Sequence, residues 1–244
     1  MIFSLSETDS TNARLRQMLA DAPDLPHGTA VAADFQTAGR GQRGNSWESQ
    51  RGENLLFSIL LRPERIAAAR SFVLSQLVSL AVADVLSRYV SGIEIKWPND
   101  IYWRDRKLVG ILVENNICGT AVSASIAGIG VNVNQTRFLS AAPNPVSLAQ
   151  ITGAPLDREP LLAALVERVT AAVADYRPGD DAAVASRYRS RLYRGEGFHS
   201  YYDVRAQEVV TAAVERVEPS GLLVLRTFAG EERAYAFKEV QYLL

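Results

Sequence analysis

Lys96-Trp97-Pro98-Asn99-Asp100-Ile101-Tyr102-Trp103-Arg104-Asp105-Arg106-Lys107-Leu108-Val109-Gly110-Ile111-Leu112-Val113-Glu114 is the stretch whose reading decides the fold. Short apolar runs rich in β-branched and aromatic side chains alternate with polar breaks, which predicts strands at 93–97, 101–103 and 108–114. The link at 104–106 reads as a hairpin, and a further strand follows at 121–132. A proline between Trp97 and Asn99 forces a bend and leaves Asn99 and Asp100 at a strand end. Strands this close together, with helical patterns on either side, predict a larger α+β domain on a mixed sheet.

Outward toward the N-terminus, residues 54–61 (NLLFSILL) are almost continuously apolar, as in a central strand covered on both faces. Residues 36–53 are rich in Gly, Arg, Asn and Ser and read as a loop. Strands are expected at 2–6 and 29–35. Between them Asp9-Ser10-Thr11-Asn12 offers helix N-caps, and Leu15, Met18 and Leu19 supply the stripe of the helix that follows. Residues 67–90 predict one long amphipathic helix, with Leu74, Val78, Ala81 and Val85 on its inner face. Toward the C-terminus, Asp157 caps a helix running to about residue 176, with Pro160 tolerated in its first turn. A second helix rich in Arg and Tyr is expected at about 180–193. The texture changes at Gly195-Glu196-Gly197, after which short strands at 209–217, 222–228 and 234–237 predict a small all-β barrel. The expected division is therefore 1–194 and 195–244.

Composition narrows the function. The chain has 244 residues, with 26 Lys+Arg against 27 Asp+Glu. That balance provides no general basic field for nucleic acid. A single cysteine, Cys118, excludes an internal disulfide, and two distant histidines, His27 and His199, argue against zinc ligation and a Cys–His dyad. The first residues show no secretory pattern, and the longest apolar stretch is interrupted by Gln76, Ser79 and Asp84. A cytoplasmic, non-membrane protein is the expectation, with any catalysis resting on placed charges and backbone dipoles.

Four segments carry chemistry. Gly39-Arg40-Gly41-Gln42-Arg43-Gly44 combines glycines that let the backbone approach an anion with two guanidinium forks, and Trp47 follows where it could cover a ligand. Its bland reading is an exposed Gly-Arg loop; it is not a P-loop, since no Gly-Lys-Ser/Thr follows. The Lys96–Asp100 pentapeptide reads as polar groups at a pocket mouth or as an Asx-type turn with Trp97 in the core. Lys107 opens an apolar strand in which Gly110 implies close approach by a ligand or a neighbouring segment. Gly128-Ile129-Gly130-Val131-Asn132-Val133-Asn134 is a glycine-bearing strand with polar asparagines, and lacks the spacing of a dinucleotide fold.

Taken together, Asp9-Ser10-Thr11-Asn12, Gln36-Thr37-Ala38-Gly39-Arg40-Gly41, Trp47, Lys96–Asp100, Arg106-Lys107-Leu108-x-Gly110-Ile111-Leu112-x-Glu114 and Gly128–Asn134 resemble the biotin protein ligases in order and spacing, densely over residues 5–135. Phe237-Lys238-Glu239-Val240 resembles the end of that family's C-terminal module. The resemblance implies a mixed-sheet catalytic domain of the class II synthetase/biotin ligase type followed by a small SH3-like β-barrel. It implies an enzyme that joins biotin to AMP using ATP and Mg²⁺, with no tightly bound cofactor. The biotinyl group then passes to one lysine of the biotin carboxyl carrier domain of acetyl-CoA carboxylase or a related carboxylase. Carried over residue by residue, Ser10, Thr11, Asn12 and Gln36 would bind the ureido head, with Gly39, Arg40, Gly41, Gln42, Lys107 and Gly110 along the rest of biotin. Arg40, Arg43, Trp47, Asn99, Lys107 and Asn132 would serve the nucleotide. Lys107, Arg40 and Asp100 would be catalytic, Asp100 as base toward the acceptor lysine; no metal ligand is assigned. Many bacterial relatives carry a basic residue where this chain has Gln42, so either Arg43 substitutes for that charge or the adenylate is held less firmly. The chain starts at the catalytic domain, so DNA binding is not expected, while a free sheet edge could form a homodimer or receive a strand of the acceptor. A lipoate or octanoate ligase or transferase of related fold, and a non-catalytic binding module, are the rival readings.

Overall fold

The computed structural model describes residues 1–42, 46–139 and 144–243. Seven strands form the main sheet: β1 Ile2–Leu5, β2 Ala30–Ala33, β3 Leu55–Leu61, β4 Ile93–Lys96, β5 Asp100–Trp103, β6 Arg106–Cys118 and β7 Ala121–Val131. Their order is β1-β2-β3-β7-β6-β5-β4. Only β1 and β2 run parallel, so the sheet is mixed, as expected. Every residue of β3 is buried because both faces are covered. Leu55, Phe57, Ile59 and Leu61 face a core shared with helices α2 (Phe72–Leu86), α4 (Arg158–Asp175) and α5 (Asp181–Ser190). Leu60, on the opposite face, packs with Leu15 of α1 (Thr11–Asp21).

Register decides what lies on that opposite face. Leu56 opposes Gly130, which opposes Gly110; Ser58 opposes Gly128, which opposes Leu112. Directly opposed residues point the same way. Three glycines on two adjacent strands thus leave a trough beside α1, flanked by leucines.

The helix predicted at 67–90 is shorter. A 3₁₀ turn at Ala68–Arg70 precedes α2, because Ala68 N–H donates to Thr120 O at 2.8 Å and ties this segment to the β6–β7 turn. A further short helix, α3 (Leu148–Thr152), follows from a capping box: Ser147 Oγ accepts from Gln150 N–H while the Gln150 side chain accepts from Ser147 N–H. Asp157 caps α4 through Glu159 N–H, as expected.

The C-terminal residues form an antiparallel five-stranded sheet ordered β11-β10-β9-β8-β12, from β8 (His199–Asp203), β9 (Glu208–Val217), β10 (Leu223–Thr227), β11 (Glu232–Tyr235) and β12 (Val240–Tyr242). Its inner residues Val214, Leu223 and Tyr235 join the core of the main sheet. Trp97 Nε1–H donates to Gly221 O at 3.0 Å, and Arg189 donates to Val214 O at 2.8 Å. Trp97 is thus a core side chain at the junction, and the bend after it carries Asn99 and Asp100 toward the trough. His27 is structural: its Nδ1 accepts from Arg62 N–H, leaving Nε2–H to donate to Thr170 O. Among the described residues no helix is long and apolar enough to cross a membrane.

Candidate active site

A cavity of about 520 Å³ occupies the trough. At one end, the N-terminus of α1 meets a chain of paired polar side chains. Thr11 donates from both its backbone N–H (2.8 Å) and its hydroxyl (3.0 Å) to Gln36 Oε1. Ser58 Oγ lies 2.7 Å from Thr11 Oγ1 and 2.5 Å from Asn12 Oδ1. An amide oxygen only accepts, so the Ser58 proton goes to Asn12. Asn12 Nδ2–H in turn donates to Glu114 Oε2 at 2.6 Å, and Arg16 pairs with the other Glu114 oxygen at 2.7 Å. Among the described residues, the Ser10 hydroxyl and the Gln36 amide N–H groups make no protein hydrogen bond, and both residues line the cavity. Gly128 is glycine because a Cβ there would lie 2.2 Å from Asn12 Oδ1.

The middle of the floor explains the other two glycines. A Cβ at Gly110 or at Gly130 would come within 2.6 Å of the Trp47 indole. The neighbouring segment that the Gly110 reading left open is therefore Trp47, folded back over β6 and β7. Among the described residues its buried Nε1–H has no partner, and neither has Asn132 Oδ1.

The far end is cationic. Lys107 Nζ donates to Asp100 Oδ2 at 2.6 Å and lies 5.8 Å from the Trp47 ring centre. Lys107 is anchored by its own backbone, whose N–H donates to Asn144 O and whose carbonyl accepts from Val146 N–H. Arg40 and Gly41 line the cavity, and among the described residues Arg40 makes no side-chain hydrogen bond. Gln42 Nε2–H donates to Asn99 Oδ1 at 2.7 Å and Ile111 O at 3.2 Å, which ties the loop to the bend after Trp97. Behind this end, burial pulls the Lys96 ammonium below the usual lysine range while Asp100 opposes that shift, and burial raises the Tyr102 phenol.

Ser10, Thr11, Asn12, Gln36, Arg40 and Gly41 line this cavity. So do Gln42, Trp47, Asp100, Lys107, Gly110 and Asn132. Asn99 stands one contact behind the lining, and Gly39 closes the loop by accepting Trp47 N–H at 3.1 Å. Arg43 lies outside the described residues. Residues given no site role from the sequence complete the site: Ser58 and Glu114 in the polar chain, and Phe138 and Phe237 in the lining. The one hydroxyl inside the apolar run 54–61 was the available signal for Ser58.

Fold and cavity define an α+β unit whose trough carries neutral hydrogen-bonding groups under a helix N-terminus at one end and Lys107 and Arg40 at the other. The model of the biotin/lipoate A/B protein ligase family matches residues 5–134. A biotin--[acetyl-CoA-carboxylase] ligase of Paracoccus denitrificans is 33% identical over 238 residues, covering 93% of this chain and 95% of that protein. The bifunctional ligase/repressor BirA of Escherichia coli is 36% identical over 184 residues, which is 74% of this chain and 56% of that protein. The chain spans about half the length of such ligase/repressors. A biotin protein ligase from Aquifex aeolicus, solved with biotin and ATP, superposes with a TM-score of 0.78 at 26% identity over 99% of both chains. This chain belongs to the biotin/lipoate A/B protein ligase family.

Proposed function

We propose that this chain activates biotin with ATP, forming biotinyl-5'-AMP and pyrophosphate, and transfers the biotinyl group to a lysine of a biotin carboxyl carrier domain. The observation that carries this reading is the pairing, in one cavity, of a neutral hydrogen-bonding end with a Lys107–Asp100 pair at 2.6 Å. The unpaired Ser10 hydroxyl and Gln36 N–H groups suit a cyclic urea, which offers one carbonyl and two N–H groups. A lipoyl dithiolane or an octanoyl chain offers none, so the polar chain favours biotin over the related acyl substrates. Leu56 and Leu112 flank the ring and tail.

Adenylation brings the biotin carboxylate against the α-phosphorus, with pyrophosphate leaving. Both partners are anions, so the barrier is dominated by repulsion, and Lys107 and Arg40 stabilise the charge that builds on the phosphorus oxygens. Asn132 Oδ1 and Trp47 Nε1 provide an unpaired acceptor and donor for the nucleotide. In the transfer step the acceptor amine loses a proton to Asp100, attacks the acyl carbon and displaces AMP. Among the described residues no group of three His, Cys, Asp or Glu side chains could hold a metal ion. In this reading Mg²⁺ comes with the nucleotide, arriving with its phosphates and offsetting their charge. A division into a catalytic part, 1–194, and a C-terminal part, 195–244, and a cytoplasmic location go with this reading.

Biotin-dependent exchange of labelled pyrophosphate into ATP tests it. Exchange with biotin is expected; exchange with lipoate alone would move the assignment to the related ligases. No exchange with either would leave a binding module.

A further inference from the structure

Phe237 reaches the cavity from a part of the chain that otherwise stays out of it. Every other lining residue lies between Ser10 and Pro145, whereas Phe237 stands in the turn between β11 and β12. That turn is tied down: Ala236 N–H donates to Glu239 Oε2 at 2.7 Å, Glu239 N–H to Ala236 O at 3.0 Å, and Val204 N–H to Glu239 O at 2.9 Å. The Phe237 ring is half-buried and packs edge-on against Trp97, with 6.1 Å between ring centres and 64° between planes. Trp97 opens the bend that links Lys96 to Asp100, two residues opposed across β4 and β5. The C-terminal sheet holds this bend at two more points, where Gly221 O accepts Trp97 Nε1–H and the Tyr242 ring centre lies 5.0 Å from Lys96 Nζ. Tyr188 of α5 adds to the grip by donating its hydroxyl to Pro98 O at 2.6 Å. Phe237 therefore comes to the end of the cavity where Lys107 pairs with Asp100. Pro145, also in the lining, runs alongside Lys107, between the two backbone bonds that anchor that lysine.

We propose that Phe237 is a water-excluding residue: through it the C-terminal sheet supplies an apolar wall beside the acyl carbon of the adenylate, so that the carrier lysine and not water takes the acyl group. This rests on the ligase reading and gives the C-terminal sheet a part in its second half-reaction. The physical need follows from the chemistry. In either outcome a nucleophile bonds to the acyl carbon, the bond from that carbon to the bridging phosphate oxygen breaks, and AMP leaves. With the lysine amine an amide forms and a proton is released. With water the biotin carboxylate is regenerated, a proton is likewise released, and the activation is lost. Lys107, Arg40 and Asp100 are charged and attract water, so they do not exclude it. An apolar surface leaves a water molecule beside the reacting carbon short of hydrogen-bond partners. A phenyl ring covers a large area with few rotatable bonds, and one braced by Trp97 keeps its place without a polar group that could orient a water.

The experiment uses the full chain with biotin, ATP and a carrier domain, and follows the initial rates of AMP formation and of carrier biotinylation together. Their ratio does not depend on how fast the adenylate forms. Wild-type protein should form AMP and biotinylated carrier in nearly equal amounts. In Phe237→Ala the excess of AMP over transferred biotin should rise by about tenfold, equivalent to about 1.4 kcal/mol between the two competing barriers. Phe237→Leu restores an apolar side chain and should return the excess to within about twofold of wild type. Ultrafiltration separates two origins of the excess. Biotin and AMP without free biotinyl-AMP in the filtrate mean hydrolysis inside the site, the expected result. Intact biotinyl-AMP accumulating in the filtrate means that Phe237 only retains the ligand and overturns the proposal, as does an unchanged excess of AMP in Phe237→Ala. Should Phe237→Ala fail to fold, Phe237→Leu and Phe237→Gln, close in volume, decide the matter. The glutamine variant alone should raise the excess, and equal values in the two overturn the proposal. Failure of the ligase reading is seen separately, as wild-type protein without biotin-dependent pyrophosphate exchange.

Discussion

The two ends of the cavity handle polar groups in opposite ways. Under α1, Thr11 is bonded to Gln36 and Ser58 to Asn12, Glu114 and Arg16 extend the second pair to the surface, and among the described residues only the Ser10 hydroxyl and the Gln36 N–H groups are left over. At the far end Lys107 is paired with Asp100 alone, and among the described residues Arg40 makes no side-chain hydrogen bond and Trp47 Nε1 and Asn132 Oδ1 are buried unpaired. A neutral ligand head is recognised best by groups whose rotamers and proton positions are already set, since little ordering cost remains. An anionic reaction needs donors and cations held in reserve for charge that appears only in the transition state. On the proposed function, binding and chemistry fall at opposite ends of one trough, and mutations at its two ends should therefore fail differently.

The largest effect is expected at the cationic end. Lys107→Ala should lower biotin-dependent pyrophosphate exchange by about 10²–10³-fold, by analogy with removal of one transition-state donor, while biotin affinity without ATP changes far less. Near-wild-type exchange would show that the reactive cation lies elsewhere. At the neutral end, Asn12→Ala leaves Ser58 and the charged Glu114 short of a partner. Calorimetry should show biotin affinity weakened by about 10–100-fold, in line with the cost of an unsatisfied buried group. A change in the rate of the bound ligand instead of its affinity would break the separation of roles. Between the two ends, Gly130→Ala drives a methyl into the Trp47 indole and should cost about 1–3 kcal/mol of stability by thermal melting, with a shift in tryptophan emission. Unchanged emission would mean that Trp47 is not held over β7. The smallest effect is expected for Gln42→Arg, which exchanges the bond to Asn99 for a charge. Release of biotinyl-AMP should slow by up to about fivefold, the span of an exposed ion pair. Unchanged release would assign that role to Arg43.

Much of the site could be read in advance because the residues that touch ligands sit in dense local motifs. Gly128–Asn134 already read as a glycine-bearing strand, and Gly110 already implied close approach. Pattern could not say what approached. That depends on residues 39–47 folding back, so that Trp47 N–H bonds Gly39 O and the indole reaches Gly110 and Gly130. Ser58 looked like a minor interruption in an apolar strand. Its role follows from register, which sets it opposite Gly128 and beneath Asn12. The helix expected at 67–90 was overextended at its start because Ala67–Ala69 are good helix formers, whereas tertiary bonding of Ala68 to Thr120 prevents regular α-helix there. Strands β8 and β12 are short, and their pairing with each other is long-range, so no local signal announced them.

By itself the sequence determined the alternating β pattern, the glycines and the cations of a biotin-ligase-like site, because these are properties of residue type and short spacing. Tertiary structure decided which of them meet. It set Lys107 on Asp100, joined Asn12 to Glu114 across about a hundred residues of chain, and brought Tyr242 from the C-terminal strand onto Lys96. These contacts depend on sheet order, register and the docking of two sheets on one core, none of which is encoded in any single segment.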